Sequence, residues 1–219
     1  MGTTPLLAAA LAGIPAGIQR QGLWAGRRQL FIRFAGPAET AQMYTADALA
    51  RELNRALGRA PFHSVSVSGR DALGNAEFLA AALRQLPSSM LVMADTDGQR
   101  PEAMATLHEF LHLVQITVDA PAATVAMERV QDTLRQCVAT RRPHALVIAG
   151  TDEASDADYL QIVEQANAAS TETAIVIHPG PTPERSPLDR RWSVLLEHAM
   201  MKHSDVRIAL RMAGPGTMR

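Results

Sequence analysis

The stretch "GIQRQGLWAGRRQLFIRFAG", residues 17–36, decides the fold. In its second half, residues 30–35 read Leu-Phe-Ile-Arg-Phe-Ala, a mostly apolar run with Arg33 as its one polar residue, which is typical of a β-strand. Gly36 and Pro37 then interrupt the pattern, because neither residue favours the interior of a strand. The segment therefore predicts a strand that runs directly into a loop.

Five more extended segments follow this strand, and amphipathic stretches separate them. The predicted strands are residues 30–35, 63–68, 90–95, 113–119, 145–150 and 174–178. The predicted helices are residues 46–57, 76–86, 101–107, 124–140, 155–169 and 187–203. This alternation predicts βα units around a mostly parallel sheet, and six units are too few to close an eight-stranded barrel. The spacing leaves open both a partial barrel and a doubly wound sheet.

The composition predicts a single domain. The chain has 219 residues, of which 47% are hydrophobic, so it can bury one substantial core. We predict one domain over residues 1–219, with an N-terminal arm at 1–16 and a flexible C-terminal tail at 213–219. The apolar start lacks the basic segment of a secretory signal and is too short to span a bilayer, so no membrane association is expected.

Charge and cysteine content narrow the expected partners. The net charge of −1 gives no reason to expect nucleic acid or an anionic membrane as the main partner. The single cysteine, Cys137, rules out an intrachain disulfide and favours a cytoplasmic location. A cysteine-rich zinc site and a cluster bound only by this chain's thiolates are excluded for the same reason.

Residues 17–36 resemble the opening of the 7-carboxy-7-deazaguanine synthases, radical S-adenosylmethionine enzymes that read IQGEG, then Gly-Arg, then F-x-R-x-AGC. Weaker similarity continues in "SVSGRDALGNAEFLAAAL", "IVIHP" and "WSVLLEHAMMKHSDVRIAL", which resemble the family's GGEP loop and helix, a late strand, and its final helix and strand. The resemblance implies a radical S-adenosylmethionine-like fold: a partial, open TIM-like barrel of about six parallel strands with helices outside. It also implies a homodimer.

The cluster cysteines of that family are absent here. The family's loop after Ala-Gly carries CxxxCxxC, whose thiolates bind a 4Fe-4S cluster; without gaps, those places fall on Pro37, Ala41 and Tyr44, none of which is a thiolate ligand. Cys137 lies in a predicted helix and is interpreted as a buried, inert thiol. We therefore predict a non-radical pseudoenzyme without an iron-sulfur cluster, which binds a small ligand or a protein partner. S-adenosylmethionine and a divalent cation remain open as ligands.

The candidate ligand-binding residues come from the matched motifs and from the polar ends of the predicted strands. Gln21 stands where the family has a glutamate, so one acceptor is exchanged for a donor, and Asp71 stands near the family's GGEP glutamate. Thr45 follows the last cluster position, where the resemblance implies a magnesium-associated threonine. The full set, expected at the mouth of the barrel, is Gln19, Gln21, Arg27, Thr45, Gly69, Asp71, Asp97 and Asp152.

A zinc hydrolase is the alternative from a different class. Residues 108–112 read His-Glu-Phe-Leu-His, which on a continuous helix would present His108 and His112 to zinc, with Glu109 as general base and Glu128 as a further ligand. However, the residues after His112 read as a strand, which would place His112 at the end of the helix. The favoured interpretation is two partly exposed histidines, and the decisive feature is whether the helix continues through His112.

Overall fold

The computed structural model describes residues 7–151, 153–179 and 190–209. Within these ranges the strands are β1 (Ala8–Gly13), β2 (Ala16–Ile18), β3 (Arg28–Phe34), β4 (Gln42–Thr45), β5 (Ser64–Gly69), β6 (Leu91–Thr96), β7 (Leu113–Ala120), β8 (His144–Gly150), β9 (Ala174–His178) and β10 (Val206–Ile208). The helices are α1 (Ala46–Leu57), α2 (Ala76–Leu83), α3 (Met104–Leu107), α4 (Thr124–Ala139), α5 (Asp156–Ala169) and α6 (Arg190–Met200). Short 3-10 turns precede α2 and α3.

The sheet is mostly parallel, as predicted. All six predicted strands are present as β3 and β5 to β9, and β10 extends the parallel part. The strand order is β10-β9-β8-β7-β6-β5-β3-β1-β4, so the parallel strands lie side by side in chain order. This order never reverses, whereas strand order reverses in a doubly wound sheet. The connections between neighbouring parallel strands share one hand, so they place the helices on the same face of the sheet. Each helix from α1 to α6 contacts the next one along the chain.

The segments before and after β3 form sheet where none was predicted. β1 and β2 pair antiparallel with β3, and β4 pairs antiparallel with β1. From Ala8 onward, the predicted N-terminal arm is therefore part of the sheet. The sequence of β1, Ala-Ala-Ala-Leu-Ala-Gly, has low intrinsic strand propensity, so pairing and the burial of Leu11 stabilise this strand. The predicted tail at 213–219 lies outside the described residues.

The two faces of the parallel sheet differ in chemistry. On β7, Val114, Ile116 and Val118 point into the main core under the helices. The alternate residues of β7 point to the opposite face, here called the inner face, which also carries Gln29, Ser66, Asp95 and Ala145. The loop between β2 and β3, residues 19–27, covers part of the inner face, where Leu23 and Trp24 pack in a small apolar cluster. In the described part of the chain, no helix is long and apolar enough to cross a membrane.

Candidate functional site

The inner face carries a hydrogen-bonded cluster of polar side chains. Gln19 Nε2 donates to Asp95 Oδ2 at 3.3 Å, and Gln21 Nε2 donates to Thr117 Oγ1 at 3.2 Å. Thr117 Oγ1 in turn donates to Asp95 Oδ1 at 3.1 Å, so Thr117 and Asp95 join the two glutamines of the 19–27 loop. Gln115 is the register partner of Asp95 on the neighbouring strand. We call Gln19, Gln21, Asp95, Gln115 and Thr117 the inner-face cluster.

Several buried polar atoms of this face have no hydrogen-bond partner. Gln115 is 0% exposed, yet neither its amide oxygen nor its amide nitrogen is bonded. The amide oxygens of Gln21 and Gln29 and the hydroxyl of Ser66 are likewise unpartnered and buried. Nine-tenths or more of buried polar groups in proteins are bonded, and an unpartnered one costs about 1–3 kcal/mol. An unpartnered amide of this kind is unusual in a protein interior.

The backbone of the 19–27 loop approaches the Gln115 amide closely. Gly22 has φ +75°, and a Cβ at this position would lie 1.7 Å from Gln115 Oε1. Glycine is therefore favoured here by its conformation, and any larger residue would force the Gln115 side chain to shift. The Gly22 N–H also donates to His178 Nε2 at 3.3 Å, which ties the loop to the end of β9.

A cleft of about 370 Å³ opens beside the cluster, at the carboxyl ends of β6 and β7. Thr117 belongs both to the inner-face cluster and to the cleft. The lining residues are Asp97, Gln99, Thr117, Val118, Asp119, Pro121, Ala122, Ala123 and Ala126. Ligand sites of parallel sheets lie at the carboxyl ends of the strands, so this is the end at which a ligand is expected to enter.

Three of the sequence-predicted site residues lie in the inner-face cluster or line the cleft. Gln19 and Gln21 lie in the inner-face cluster, and Asp97 lines the cleft. The Asp97 carboxylate accepts a hydrogen bond from the Gln99 N–H at 3.1 Å, so it also stabilises its own turn. Asp152 lies outside the described residues.

Asp71 is already engaged by an arginine. Arg100 Nε and Nη2 donate to the two carboxylate oxygens of Asp71 at 2.7 and 2.6 Å, which is a bidentate pair. The hydrogen bonds from Arg100 hold the pKa of Asp71 below its usual value. A ligand amino group that used this carboxylate would have to compete with Arg100.

Asp71→Asn is expected to lower the free energy of unfolding by about 0.5–1 kcal/mol at neutral pH, because the pair is half exposed. Asparagine tolerates the left-handed conformation at this position, φ 45°, so the substitution mainly removes the charge. The folded-state pKa is lowered, so the contribution is present above the unfolded-state pKa of about 3.9 and is lost as the pH falls through the folded-state pKa.

Urea unfolding of both proteins across the acid range measures this effect. The control is Asp132→Asn, which removes an exposed pair with Arg135 on one helix. A stability difference that persisted unchanged at the acid end would show that the Asp71 charge does not carry it.

Arg27 lies at the opposite end of the sheet from the cleft, and Thr45 caps a helix. Arg27 is exposed and immediately precedes β3, so it lies at the amino end of the parallel strands, whereas the cleft is at the carboxyl end. There it lies beside His63, whose pKa is lowered by burial and by the Arg27 charge. Thr45 is the N-cap of α1, because its hydroxyl accepts from the Ala48 N–H at 3.2 Å. Both residues have structural surroundings that motif matching does not reveal.

The backbone structure alone explains the glycine at position 69. Its φ is +101°, and an added Cβ would lie 2.3 Å from the carbonyl oxygen of Phe34, its register partner on β3. The ends of β3 and β5 therefore require a glycine at this position, whether or not a ligand lies nearby.

The residues present do not fit an iron-sulfur cluster. Pro37 and Ala41 are exposed, whereas Tyr44 lies in β4 and is buried against the helix side of the sheet, where burial and then Glu52 raise its pKa. Between them, Glu39 accepts from the Gly36 N–H at 2.9 Å and from Arg33 Nη2 at 2.8 Å.

The single thiol, Cys137, does not supply a cluster ligand either. Cys137 is fully buried in α4, and burial raises its pKa to about 12. Cluster ligation requires thiolates, so this side chain is not poised to bind iron.

The zinc alternative lacks the helix that it requires. Helix α3 ends at Leu107, and His112 lies just before β7. His108 Nδ1 donates to the Met104 carbonyl at 2.9 Å, while His112 Nδ1 accepts from the Val92 N–H at 3.2 Å. Within the described ranges, no three His, Cys, Asp or Glu side chains, Glu128 included, are grouped to hold a metal ion.

Sequence reasoning missed Gln115, Thr117 and Ser66. The signal for them is polar residues at every second position of their strands. "LVQITVDA" in β7 and "SVSVSG" in β5 both show this pattern. It indicates that one face of the sheet is polar and lacks a helical cover.

Comparison with known proteins indicates a distant relationship. No family model matches the chain. Among curated proteins, the chain is 30% identical over 122 residues to a 7-carboxy-7-deazaguanine synthase of Methanothermobacter thermautotrophicus. The match covers 48% of this chain and 48% of that protein, so the chain spans about half the length of the curated relative that it matches. The resemblance noted in the sequence is thus supported as a remote similarity to an enzyme of that name.

Proposed function

We propose that this chain is a non-radical relative of the 7-carboxy-7-deazaguanine synthases that binds a small polar ligand on its inner face. The observation that carries the proposal is the buried, unpartnered amide of Gln115, two positions before Thr117, which lines a cleft at the carboxyl end of the sheet. The remote similarity to a 7-carboxy-7-deazaguanine synthase supports it. Parallel strands laid side by side in chain order are also what a partial barrel of the radical S-adenosylmethionine type requires.

The same residues argue against radical chemistry. The three positions of the cluster motif hold no thiolate and do not converge, since Tyr44 points into the core while Pro37 and Ala41 face solvent. What the chain does offer is hydrogen bonding by neutral amides and hydroxyls. Gln21 donates to Thr117, which lines the cleft, and this pair would orient a bound molecule at its edge. We propose that this orientation is the function of the inner face.

Calorimetric titration with S-adenosylmethionine and, separately, with a pterin tests the binding site. We expect heat of binding with one of them, and we expect Thr117→Val to weaken that binding about tenfold, because it removes a hydroxyl that links Gln21 to Asp95. Thr40→Val, an exposed change in a loop, is the control and should bind like the parent protein. No heat with either compound would remove the small-molecule proposal.

Iron and sulfide content after anaerobic reconstitution tests the non-radical proposal separately. We expect far less than one cluster per chain, since the thiolate ligands are missing. About four irons with sulfide per chain would contradict the proposal. About one zinc per chain would instead favour the histidine-based alternative.

Two further expectations rest on the resemblance and on the cysteine count alone. These are a homodimer and a cytoplasmic location. Light scattering on the purified protein measures the mass in solution, and a monomer would remove the first expectation.

A further inference from the structure

Six arginines gather at one end of the parallel sheet. Because the strands are parallel, the segments that lead into them meet at a single edge of the sheet, here called the amino-end face. Four of the arginines lie in the short segments between a helix and the next strand, and two lie at the start of β3. The set is Arg27, Arg28, Arg59, Arg84, Arg141 and Arg142. The helix-to-strand segments up to β9 contain two acidic residues, Glu109 and Glu172, so this face is basic although the net charge of the chain is −1.

Within the described part of the chain, none of these six arginines forms an ion pair. Arg33, Arg100 and Arg129, which lie elsewhere, are each paired with a carboxylate, at 2.8, 2.6 and 3.2 Å. Five of the six are exposed, and Arg142 is half-buried, where it donates to two backbone carbonyls. A row of cations without carboxylate partners attracts a polyanion, and salt screens this attraction.

Two of the arginines are held over aromatic rings. The guanidinium group of Arg28 lies 4.5 Å from the centre of the Phe62 ring, and that of Arg84 lies 5.7 Å from the centre of the Phe110 ring. Both rings are half-buried, whereas both arginines are exposed. An arginine held in this way presents a planar group on which an unpaired base can stack, while its N–H groups pair with phosphate. A half-buried ring, in contrast, is not placed to insert into a bilayer.

We propose that the amino-end face binds single-stranded nucleic acid. The arginines neutralise its phosphates, and unpaired bases stack on the guanidinium groups of Arg28 and Arg84. The row of arginines extends from β3 to β8, so at about 4.8 Å per strand it is about 19 Å long and matches a polymer better than a single anion. It lies at the opposite end of the sheet from the cleft, so this inference is independent of the proposed small-ligand function.

Fluorescence anisotropy with labelled oligouridylate and oligothymidylate of about 15 nucleotides tests the inference. We expect both to bind at low salt, with an affinity that falls as salt is raised. Replacing Arg28 and Arg84 together by glutamine should weaken binding about tenfold. It should also make the plot of log affinity against log salt shallower by about 1.4, since each lost phosphate contact contributes about 0.7. The control is Arg33→Gln with Arg129→Gln, which removes the same charge away from this face and should bind like the parent protein.

Arg28→Lys with Arg84→Lys tests stacking separately from charge. Lysine keeps the positive charge but loses the planar group, so oligonucleotide binding should weaken about fivefold. Binding of inorganic polyphosphate, which has phosphates but no bases, should not change. Equal weakening for both compounds would overturn the assignment to nucleic acid.

The parent protein alone also tests the inference. It should bind oligouridylate and leave polyglutamate of the same charge unbound, and this comparison holds even if a variant fails to fold. Equal binding of polyglutamate, or no binding of either oligonucleotide, would overturn the inference. Binding of phosphatidylserine vesicles in place of the oligonucleotides would also overturn it and would indicate a membrane-binding surface. Full oligonucleotide affinity in the glutamine variant would show that Arg28 and Arg84 do not form the binding surface.

Discussion

Replacing Gly69 by alanine is expected to lower the free energy of unfolding by about 3–5 kcal/mol. Two costs combine at this position. The φ of +101° strains any residue with a Cβ, and the Cβ itself would lie 2.3 Å from the oxygen and 2.6 Å from the nitrogen of Phe34. Both atoms belong to the backbone of β3, which cannot turn aside as a side chain can. The ends of β3 and β5 would have to separate, and a domain of this size has about 5–15 kcal/mol of stability to lose.

Urea unfolding followed by circular dichroism measures the Gly69→Ala effect, and two other glycines provide matched controls. Gly26 has φ +82° with no atom near the added Cβ, so Gly26→Ala isolates the conformational strain at about 1–2 kcal/mol. Gly36→Ala meets only the Glu39 carboxylate at 3.6 Å and should be tolerated. If Gly69→Ala cost no more than Gly26→Ala, the predicted overlap with Phe34 would relax at little cost. A large loss would show that the fold alone explains this glycine.

The regular elements followed from local patterns in the sequence. Helix α1 occupies residues 46–57 as predicted, because its buried residues Leu49, Ala50 and Leu53 recur with helical period after a capping threonine. Helix α5 begins after Ser155, whose hydroxyl accepts from the Asp158 N–H in a capping box. Strands β8 and β9 were found because short, mostly apolar runs of five to seven residues between helices are typical of buried strands.

The site was harder to predict, since its residues meet through long-range contacts. The hydrogen-bonded residues Gln21 and Thr117 are 96 positions apart in the chain, and the paired residues Asp71 and Arg100 are 29 positions apart. No local pattern in the sequence predicts that Gln21 contacts Thr117 in the candidate site. Nor does one predict that Arg100 already pairs with Asp71, a candidate ligand-binding residue. Motif matching assigned Thr45 to a ligand, whereas its position before α1 makes it a helix cap. The antiparallel strand β4 was missed because its residues were assigned to the loop of the resembled family.

Gln115→Met is expected to raise the free energy of unfolding by about 1–2 kcal/mol, the opposite sign to most substitutions in a protein interior. The amide is fully buried and unpartnered at both ends, so its removal relieves a desolvation cost without breaking a hydrogen bond. Methionine has nearly the same length and shape and fills the space with apolar atoms. Thermal and urea unfolding of the ligand-free protein measure the change.

Gln29→Met is the matched control, because it is the same substitution at another fully buried position of the inner face. The Gln29 amide donates to Ser64 Oγ at 2.8 Å, while its oxygen is unpartnered, so its replacement breaks a bond and also removes one unpartnered atom. The two effects oppose each other, and Gln29→Met should not raise stability by more than about 0.5 kcal/mol. If both substitutions destabilised alike, the Gln115 amide would be satisfied in solution, and the binding proposal would lose its main support. If only Gln115→Met stabilised, the chain would be retaining a costly buried amide. Natural proteins retain such a cost where a function requires it, and here the ligand would supply the missing partners.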